Sequence, residues 1–245
     1  MCGIAGYITE NRKSNKLQSV YKDILVDSVS RGHDATGLAC TTAKGKVVVA
    51  KYPLPSPVFV KTLKYSEAMD KKPVSVIGHV RAATKGSPLH SKNNHPILSG
   101  NIVGVHNGSI RNDEYLTNHF ELNRHAQVDS EVVFALLDKL DKLDPKGIKQ
   151  VTALLDGAYA LAFQHAEEPN KVWLVRGPGR PMVIAEDEKL QIIWFASEER
   201  FIKNAYIKNK LLTSRLKVHT MFQNEVIMLS LGVKQVVNEQ LALSL

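Results

Sequence analysis

The order of hydrophobic patterns along the chain constrains its fold more than any other feature. Helical patterns come in a few blocks and do not alternate regularly with single apolar segments. A doubly wound parallel sheet needs that alternation, because each crossover between parallel strands normally contains a helix. Strands that follow one another directly pair most simply as antiparallel neighbours. The pattern therefore predicts an α+β fold of two mainly antiparallel sheets packed together, with helices on the outer faces.

Short apolar segments bounded by turn residues predict the individual strands. They lie at 2–8, 38–40, 47–52, 74–80, 101–106, 158–163, 172–175, 181–185, 192–196, 225–231 and 233–237. Apolar residues at helical spacing predict helices that contain residues 17–25, 132–143 and 148–155. Ser14 or Asn15 can cap the first helix, and Asp129 or Ser130 the second. The segment 82–99 and the proline-containing connection after residue 52 are predicted to be irregular.

Length and composition restrict the class of protein. The chain has 245 residues, 44% of them hydrophobic, and shows no linker or repeat, so we expect 1–245 to form a single domain. No apolar run approaches the ~20 residues that span a bilayer, and no secretory signal precedes the first strand. Cys2 and Cys40 are too few for a disulfide framework, which favours a cytoplasmic location. The net charge is +8, but no nucleic-acid-binding motif accompanies the lysine clusters, which we interpret as solvated surface.

The N-terminal sequence Met1-Cys2-Gly3 permits a particular kind of chemistry. Small residues after the initiator allow removal of Met1, and Cys2 then carries both a thiol and a free α-amine. The ordinary pKa of an α-amine is about 7.7–8.0, so this group can accept the thiol proton near neutral pH. Such a residue is a nucleophile with its own base. The alternative is an ordinary cysteine in the first strand.

Four further polar segments accompany Cys2. They are residues 31–37 (RGHDATG), residues 78–86 (GHVRAATKG) followed by 94–96 (NHP), residues 105–110 (VHNGSI), and residues 129–131 (DSE). In this order behind Cys2 they resemble the class II, or N-terminal nucleophile, glutamine amidotransferases, in particular the glutaminase domain of glucosamine 6-phosphate synthase. The segments 156–160 and 195–197 extend the resemblance over nearly the whole chain. It implies a four-layer αββα sandwich and hydrolysis of the glutamine side-chain amide to glutamate and ammonia.

The resemblance also implies roles for individual residues. Cys2 would attack the γ-carbonyl to form a γ-glutamyl thioester, and its α-amine would take the thiol proton and later hand one to departing ammonia. The Asn107 side-chain amide and the Gly108 backbone N–H would form an oxyanion hole on a tight turn. Losing one such donor typically costs roughly 10²–10³ in rate. The alternative for Asn107-Gly108 is a plain hairpin turn.

Charged residues would recognise both ends of free glutamine. Arg81 would bind the α-carboxylate through two bonds of its planar guanidinium, and Asp129 would bind the α-ammonium group. The alternatives are a surface arginine and a helix N-cap. Thr84 would contact substrate from the loop. Arg31 and Asp34 would order the N-terminal end, unless they form a surface ion pair.

The histidines of these segments do not predict a metal site. His79, His95 and His106 fall at strand ends and in a proline turn, without Cys or carboxylate at ligand spacing. We therefore expect neither a metal nor a cofactor.

The chain departs from the family pattern at two loop positions and at its end. The family typically has Trp where this chain has Ala82, and His where it has Lys85, in the loop that covers bound glutamine. No synthase domain follows within the 245 residues. We therefore expect a glutaminase that passes ammonia to a separate synthase subunit. A stand-alone hydrolase of another γ-glutamyl or amide compound is the alternative, and a catalytically silent binding module is a third.

Overall fold

Two antiparallel sheets form the centre of the molecule. The computed structural model describes residues 1–12 and 14–230, and the predicted strand at 233–237 lies outside them. The strands in the described residues are β1 (Gly3–Thr9), β2 (Ala35–Thr41), β3 (Val47–Tyr52), β4 (Ser75–Arg81), β5 (Ile97–Ser99), β6 (Ile102–Ile110), β7 (Gly157–His165), β8 (Lys171–Arg176), β9 (Val183–Asp187), β10 (Ile192–Ala196), β11 (Lys217–Thr220) and β12 (Glu225–Ser230). One sheet has the order β11-β9-β10-β1-β4-β2-β3, and the other has the order β12-β8-β7-β6-β5.

Helices cover the outer faces of both sheets. They are α1 (Asn15–Asp27), α2 (Ser56–Phe59), α3 (Leu63–Met69), α4 (Asp113–His119), α5 (Ser130–Asp138), α6 (Pro145–Ala153) and α7 (Glu199–Lys208). The predicted cap of α1 is confirmed, because the Ser14 side chain accepts a hydrogen bond from the Leu17 N–H. In the described part of the chain, no helix is both long and apolar enough to cross a bilayer.

Three groups of buried side chains hold the four layers together. Helices α1 and α7 cover the seven-stranded sheet through a cluster that includes Tyr21, Trp194 and Phe201. Helices α5 and α6 cover the five-stranded sheet through a second cluster. A third cluster, which includes Ile4 and Phe195, fills the space between the sheets. The predicted αββα sandwich is therefore confirmed.

Several short elements were not predicted from the sequence. Helices α2 and α3 lie in the connection that was expected to be irregular, and α4, α7, β5 and β11 were also missed. Pro57 falls in the first turn of α2, where a missing backbone N–H leaves no intrahelical bond unmade. Local patterns are weakest for elements of three to ten residues, because such elements depend on tertiary packing for their stability.

Candidate active site

Cys2 lies where the first strand meets the loop that follows β4. β1 pairs with β4 in antiparallel register, so that Gly3 lies opposite Val80. The Sγ atom of Cys2 is 3.4 Å from the backbone nitrogen of Ala82 and 3.5 Å from its carbonyl oxygen. The candidate nucleophile therefore contacts the residue that directly follows Arg81.

The surroundings of Cys2 favour the neutral thiol. Burial raises the pKa of the Cys2 thiol above its ordinary value, while the Ala82 N–H and the charges of the N-terminus, Arg81 and Arg31 act in the opposite direction. A partly buried neutral thiol needs a base before it can act as a nucleophile. In a chain that begins at Cys2, the freed α-amine is the base nearest to the sulfur.

Arg31 holds the backbone of the candidate nucleophile. Its Nε donates to the carbonyl oxygen of Cys2 at 2.7 Å, and its Nη1 donates to Oε1 of Glu198 at 2.7 Å. The arginine is buried, and the second oxygen of Glu198 accepts from Nε of Arg200 at 2.6 Å. A chain of charged groups thus leads from the protein surface to the first strand.

Asp34 and Gly32 pack against the end of β4. Oδ2 of Asp34 accepts from the Ala83 N–H at 2.7 Å, and the Asp34 N–H donates to the Arg81 carbonyl at 3.0 Å. A Cβ on Gly32 would lie 2.5 Å from the carbonyl carbon of Arg81, so a residue without a side chain is needed here. Asp34 and Arg31 contact different partners and do not form an ion pair with each other.

Arg81 is buried at the end of β4, with 3% of its surface exposed. Its Nη1 donates to Oδ1 of Asn94 at 2.7 Å, and its Nη2 donates to the carbonyls of Lys85 at 2.6 Å and Gly86 at 2.7 Å. A guanidinium has five N–H groups, so the loop between β4 and β5 uses three of them. Arg81 is therefore an interior residue around which this loop is organised.

The same loop is fixed to α4 and to the segment between α4 and α5. Nζ of Lys85 donates to Oδ2 of Asp113 at 2.7 Å, and Nη1 of Arg124 donates to the same oxygen at 3.0 Å. Asn93 and Gln127 form a reciprocal pair, since the Asn93 amide donates to the Gln127 side chain and accepts from its backbone N–H. Lys85 thus occupies the position of the family's histidine and anchors the loop by charge.

Asn107 and Gly108 do not form a turn, which corrects the sequence prediction. Strand β6 continues through both residues, which lie opposite Ala160 and Tyr159 of β7. Gly108 has a φ of +140°, a conformation that other residues rarely adopt. The buried Asn107 amide donates through Nδ2 to Oγ of Ser197 at 2.8 Å. The two candidate oxyanion donors are therefore held inside a sheet.

Asp129 precedes α5 but does not cap it, so the predicted capping bond is absent. Instead, its Oδ2 accepts from the backbone N–H of Ile110 at 2.6 Å, just beyond the candidate oxyanion donors. Burial lowers the pKa of the Arg81 guanidinium, and the charges of Cys2, Asp34 and Asp129 act in the opposite direction. These four groups are therefore close enough to interact.

Three buried histidines lie beside this junction. The ring centroids of His79 and His95 are 4.3 Å apart, and those of His95 and His106 are 6.5 Å apart. Nε2 of His79 is 3.0 Å from the His106 carbonyl oxygen. Burial lowers the pKa of all three rings, that of His79 to about 3. Among the described residues, no three side chains of metal-binding type are arranged to hold an ion.

The structure brings most of the predicted residues to one junction. Thr84 is the exception, because it is exposed in the loop and none of the described contacts joins it to Cys2. Three residues without a predicted role each bind a predicted site residue: Ser197 binds Asn107, Glu198 binds Arg31, and Asn94 binds Arg81. Serine and asparagine residues are common in turns, so their types alone carried no signal. Their partners became visible only in the folded chain.

The fold and this junction define a class of enzyme. Residues 79–204, about half of the chain, match the model of the glutamine amidotransferase domain. The chain therefore belongs to the class II glutamine amidotransferases, the enzyme family that the sequence motifs resemble.

Two curated relatives illustrate the sequence similarity. The 7-cyano-7-deazaguanine synthase of Saccharolobus solfataricus is 26% identical over 205 residues, which cover 82% of this chain and 44% of that protein. The isomerizing glutamine–fructose-6-phosphate aminotransferase of Helicobacter pylori is 32% identical over 203 residues, which cover 80% of this chain and 32% of that protein. The chain thus spans less than half the length of these relatives.

Solved structures share the fold. The glutamine phosphoribosylpyrophosphate amidotransferase of B. subtilis superposes with a TM-score of 0.71 at 20% identity, covering 94% of this chain and 47% of that one. A class II glutamine aminotransferase domain protein of Silicibacter pomeroyi superposes with a TM-score of 0.58 at 14% identity, covering 98% of this chain and 100% of that one. The four-layer sandwich is therefore the fold of this enzyme class.

Proposed function

We propose that the protein hydrolyses the side-chain amide of glutamine with Cys2 as the nucleophile. The observation that carries the proposal is the position of the Cys2 sulfur. It lies 3.4 Å from the backbone nitrogen of Ala82, the residue that directly follows Arg81 at the end of β4. The same first strand is joined through Ser197 to the Asn107 amide. The Cys2 thiol, the Arg81 guanidinium and the Asn107 amide are thus held by one framework, which supports the proposal.

In the proposed reaction, Sγ of Cys2 attacks the γ-carbonyl carbon and its proton passes to the α-amine freed by removal of Met1. The charge that develops on the carbonyl oxygen is held by the Asn107 side-chain N–H and the Gly108 backbone N–H. The C–N bond then breaks, and the amine returns a proton to the departing ammonia. Water attacks the thioester in the second half, releases glutamate and restores the thiol.

Charge supports recognition of the free amino acid. The loop bonds described above leave the Nε–H and one Nη1–H of Arg81 unused, but these lie on different edges of the guanidinium. We therefore assign the α-carboxylate to the Nε–H together with one Nη2–H, whose loop carbonyl it displaces. With Oδ2 of Asp129 bound to Ile110, we assign its Oδ1 to the α-ammonium group. Recognition of both ends would separate free glutamine from amides within proteins.

We further propose that residues 1–245 act as one glutaminase domain whose ammonia is consumed by a synthase. The support is the similarity of 80–82% of this chain to part of relatives named as a synthase and an aminotransferase. The alternative function is hydrolysis of another γ-glutamyl amide. The two functions differ in which amide the protein hydrolyses fastest.

The test is release of ammonia and glutamate by the purified protein from glutamine and from a panel of γ-glutamyl amides. Glutamine is expected to be the best substrate, and intact-mass measurement is expected to show a chain that begins at Cys2. Cys2→Ala should abolish release, whereas Cys40→Ala, which removes the buried second thiol, should not. Activity that persists in Cys2→Ala, or active enzyme that retains Met1, would contradict the mechanism.

A further inference from the structure

Ser197 makes an unusual set of contacts directly after β10. It has 0% of its surface exposed. Its Oγ accepts from the Ile4 N–H at 2.9 Å and from Nδ2 of Asn107 at 2.8 Å. Its own N–H donates to the Ile4 carbonyl at 3.0 Å. The Ser197 side chain thus replaces a backbone acceptor at the end of the β1–β10 ladder and reaches across to a second strand.

The hydroxyl joins the two halves of the candidate site. Ile4 lies two residues after Cys2 in the seven-stranded sheet, whereas Asn107 lies in β6 of the five-stranded sheet. The distance between the sulfur and the oxyanion donor therefore depends on how the two sheets are joined at this point. A single oxygen that is bonded to both strands fixes that distance directly.

The bond also orients the Asn107 amide. A primary amide has two N–H groups. One N–H of the Asn107 amide is bound to Ser197, and this bond fixes the plane of the amide. The fixed plane in turn sets the direction of the second N–H. Preorganised donors stabilise a developing charge without having to reorient during the reaction. A free amide in the same strand would lack that constraint.

We infer that Ser197 is a positioning residue for the glutaminase reaction, holding the nucleophile strand and the Asn107 amide at a fixed separation and orientation. The inference rests on the proposed function, because it gives Cys2 and Asn107 the roles assigned above. Ser197 itself does not touch substrate and acts through its two partners.

The next residue supports the same interpretation. Glu198 binds Arg31, which in turn binds the Cys2 carbonyl. Two consecutive residues after β10 are therefore bonded, directly or through Arg31, to the Cys2 end of β1, and Ser197 is also bonded to the Asn107 amide.

A substitution that lowers kcat but leaves KM nearly unchanged would identify Ser197 as a positioning residue. Ser197→Ala removes the shared acceptor but leaves Arg81 and Asp129 unchanged, so glutamine binding should be nearly unaffected. Misplacement of a catalytic donor typically costs about 10–100-fold in rate. We expect kcat for glutamine hydrolysis to fall by about that factor, with KM within about twofold of the wild type.

Ser75→Ala is a matched control. Ser75 also has 0% of its surface exposed, and its Oγ also accepts an amide across the two sheets, from Nε2 of Gln164 at 2.8 Å. It lies opposite Ile8, at the far end of β1 from Cys2. Ser75→Ala should therefore lower the melting temperature about as much as Ser197→Ala, without the loss of kcat.

The experiment measures kcat, KM and melting temperature for the wild type, Ser197→Ala, Ser197→Thr and Ser75→Ala, together with the rate of Cys2 alkylation by iodoacetamide. Ser197→Thr keeps the hydroxyl and should recover most of the rate. Alkylation does not need an oxyanion donor, so it should be similar in all four proteins.

An unchanged kcat in Ser197→Ala, or an equal loss in Ser75→Ala, would overturn the positioning role while the proposed function stands. If Ser197→Ala does not fold, Ser197→Thr carries the test, because it keeps the hydroxyl and should keep most of the rate. A soluble Ser197→Thr protein with wild-type KM but a kcat about 100-fold lower would then overturn the positioning role. A wild type without glutaminase activity would instead remove the proposed function, and this inference with it.

Discussion

At the scale of single residues, Arg81 is part of the protein's own framework as well as the group proposed to bind the substrate carboxylate. Both hydrogens of its Nη2 are bound by loop carbonyls, and its Nη1 is bound by Asn94. A carboxylate that forms two bonds to adjacent nitrogens must therefore displace at least one of these acceptors. The proposed carboxylate-binding role of Arg81 therefore links binding of glutamine to the conformation of the loop between β4 and β5.

Arg81→Lys should raise KM for glutamine at least 10-fold. Lysine keeps the charge but cannot form the paired bonds, and each hydrogen bond to a charged group contributes about 1.5–3 kcal/mol. KM is measured by steady-state kinetics over a range of glutamine concentrations. Arg124→Lys is the control, because Arg124 anchors the same loop through Asp113 without contacting the junction. A KM equal to that of the wild type would show that Arg81 does not bind the carboxylate.

His79 provides a prediction about acid stability. Burial lowers its pKa from 6.5 to about 3, so below pH 6.5 the unfolded chain binds a proton that the folded chain does not. The free energy of unfolding therefore falls as the pH falls from 6.5 towards 3. His79→Gln removes this contribution, which reaches about 1.4 kcal/mol per pH unit for one proton.

Denaturant unfolding of both proteins between about pH 5 and 7 provides the measurement, since the slope of stability against pH equals the difference in bound protons. The slope of the variant should be smaller. His90→Gln, at an exposed position, serves as the control for replacing a histidine by glutamine. Parallel curves for His79→Gln and the wild type would show that His79 is protonated equally in both states.

At the scale of elements, β6 shows how a strand can contain a pair of residues that usually forms a turn. Asn-Gly commonly occupies the centre of a two-residue hairpin loop. Here nine residues of β6 pair with β7 without interruption, because both neighbours of the pair are already held in the ladder. The sheet therefore imposes on Gly108 a backbone conformation that the local sequence permits but does not require.

Gly108→Ala should prevent normal pairing of β6 with β7. A Cβ at this position would collide with the carbonyl oxygen of Ala158, and φ is +140°. We expect a loss of at least about 3 kcal/mol in the free energy of unfolding, among the larger effects of point substitutions. The exposed neighbour Ser109 offers a control, since Ser109→Ala should change stability by less than about 0.5 kcal/mol. Equal denaturation midpoints for the two variants would contradict the prediction.

At the scale of the whole molecule, the two sheets are joined by apolar packing and by polar bonds between them. Gln164 of β7 accepts from Thr41 of β2 at 2.9 Å and donates to Ser75 of β4 at 2.8 Å. At the other end, Ser197 connects β1 with β6. Neither sheet can separate without exposing the shared core and breaking these bonds.

The chain should therefore unfold in one transition. Calorimetric and van't Hoff enthalpies are expected to agree, and far-ultraviolet and near-ultraviolet circular dichroism should give the same midpoint. Trp194 lies in the cluster that covers one sheet and Trp173 in the cluster that covers the other, so the near-ultraviolet signal reports on side-chain packing at both sheets. The far-ultraviolet signal reports on the secondary structure of all layers. Two separated transitions would show that the sheets are independent units.

The sequence by itself determined the layers of the fold and the enzyme family. Periodicity is local, so it predicted the sheets and the helices α1, α5 and α6 but missed α7, and the motifs around Cys2 and Arg81 carried the family resemblance. Only the tertiary structure decided that Asp129 binds Ile110 rather than capping α5, that Asn107 lies within a strand, and that Ser197 and Glu198 bind Asn107 and Arg31. Those bonds join residues 19 to 167 positions apart, and such partners are chosen by packing rather than by local preference.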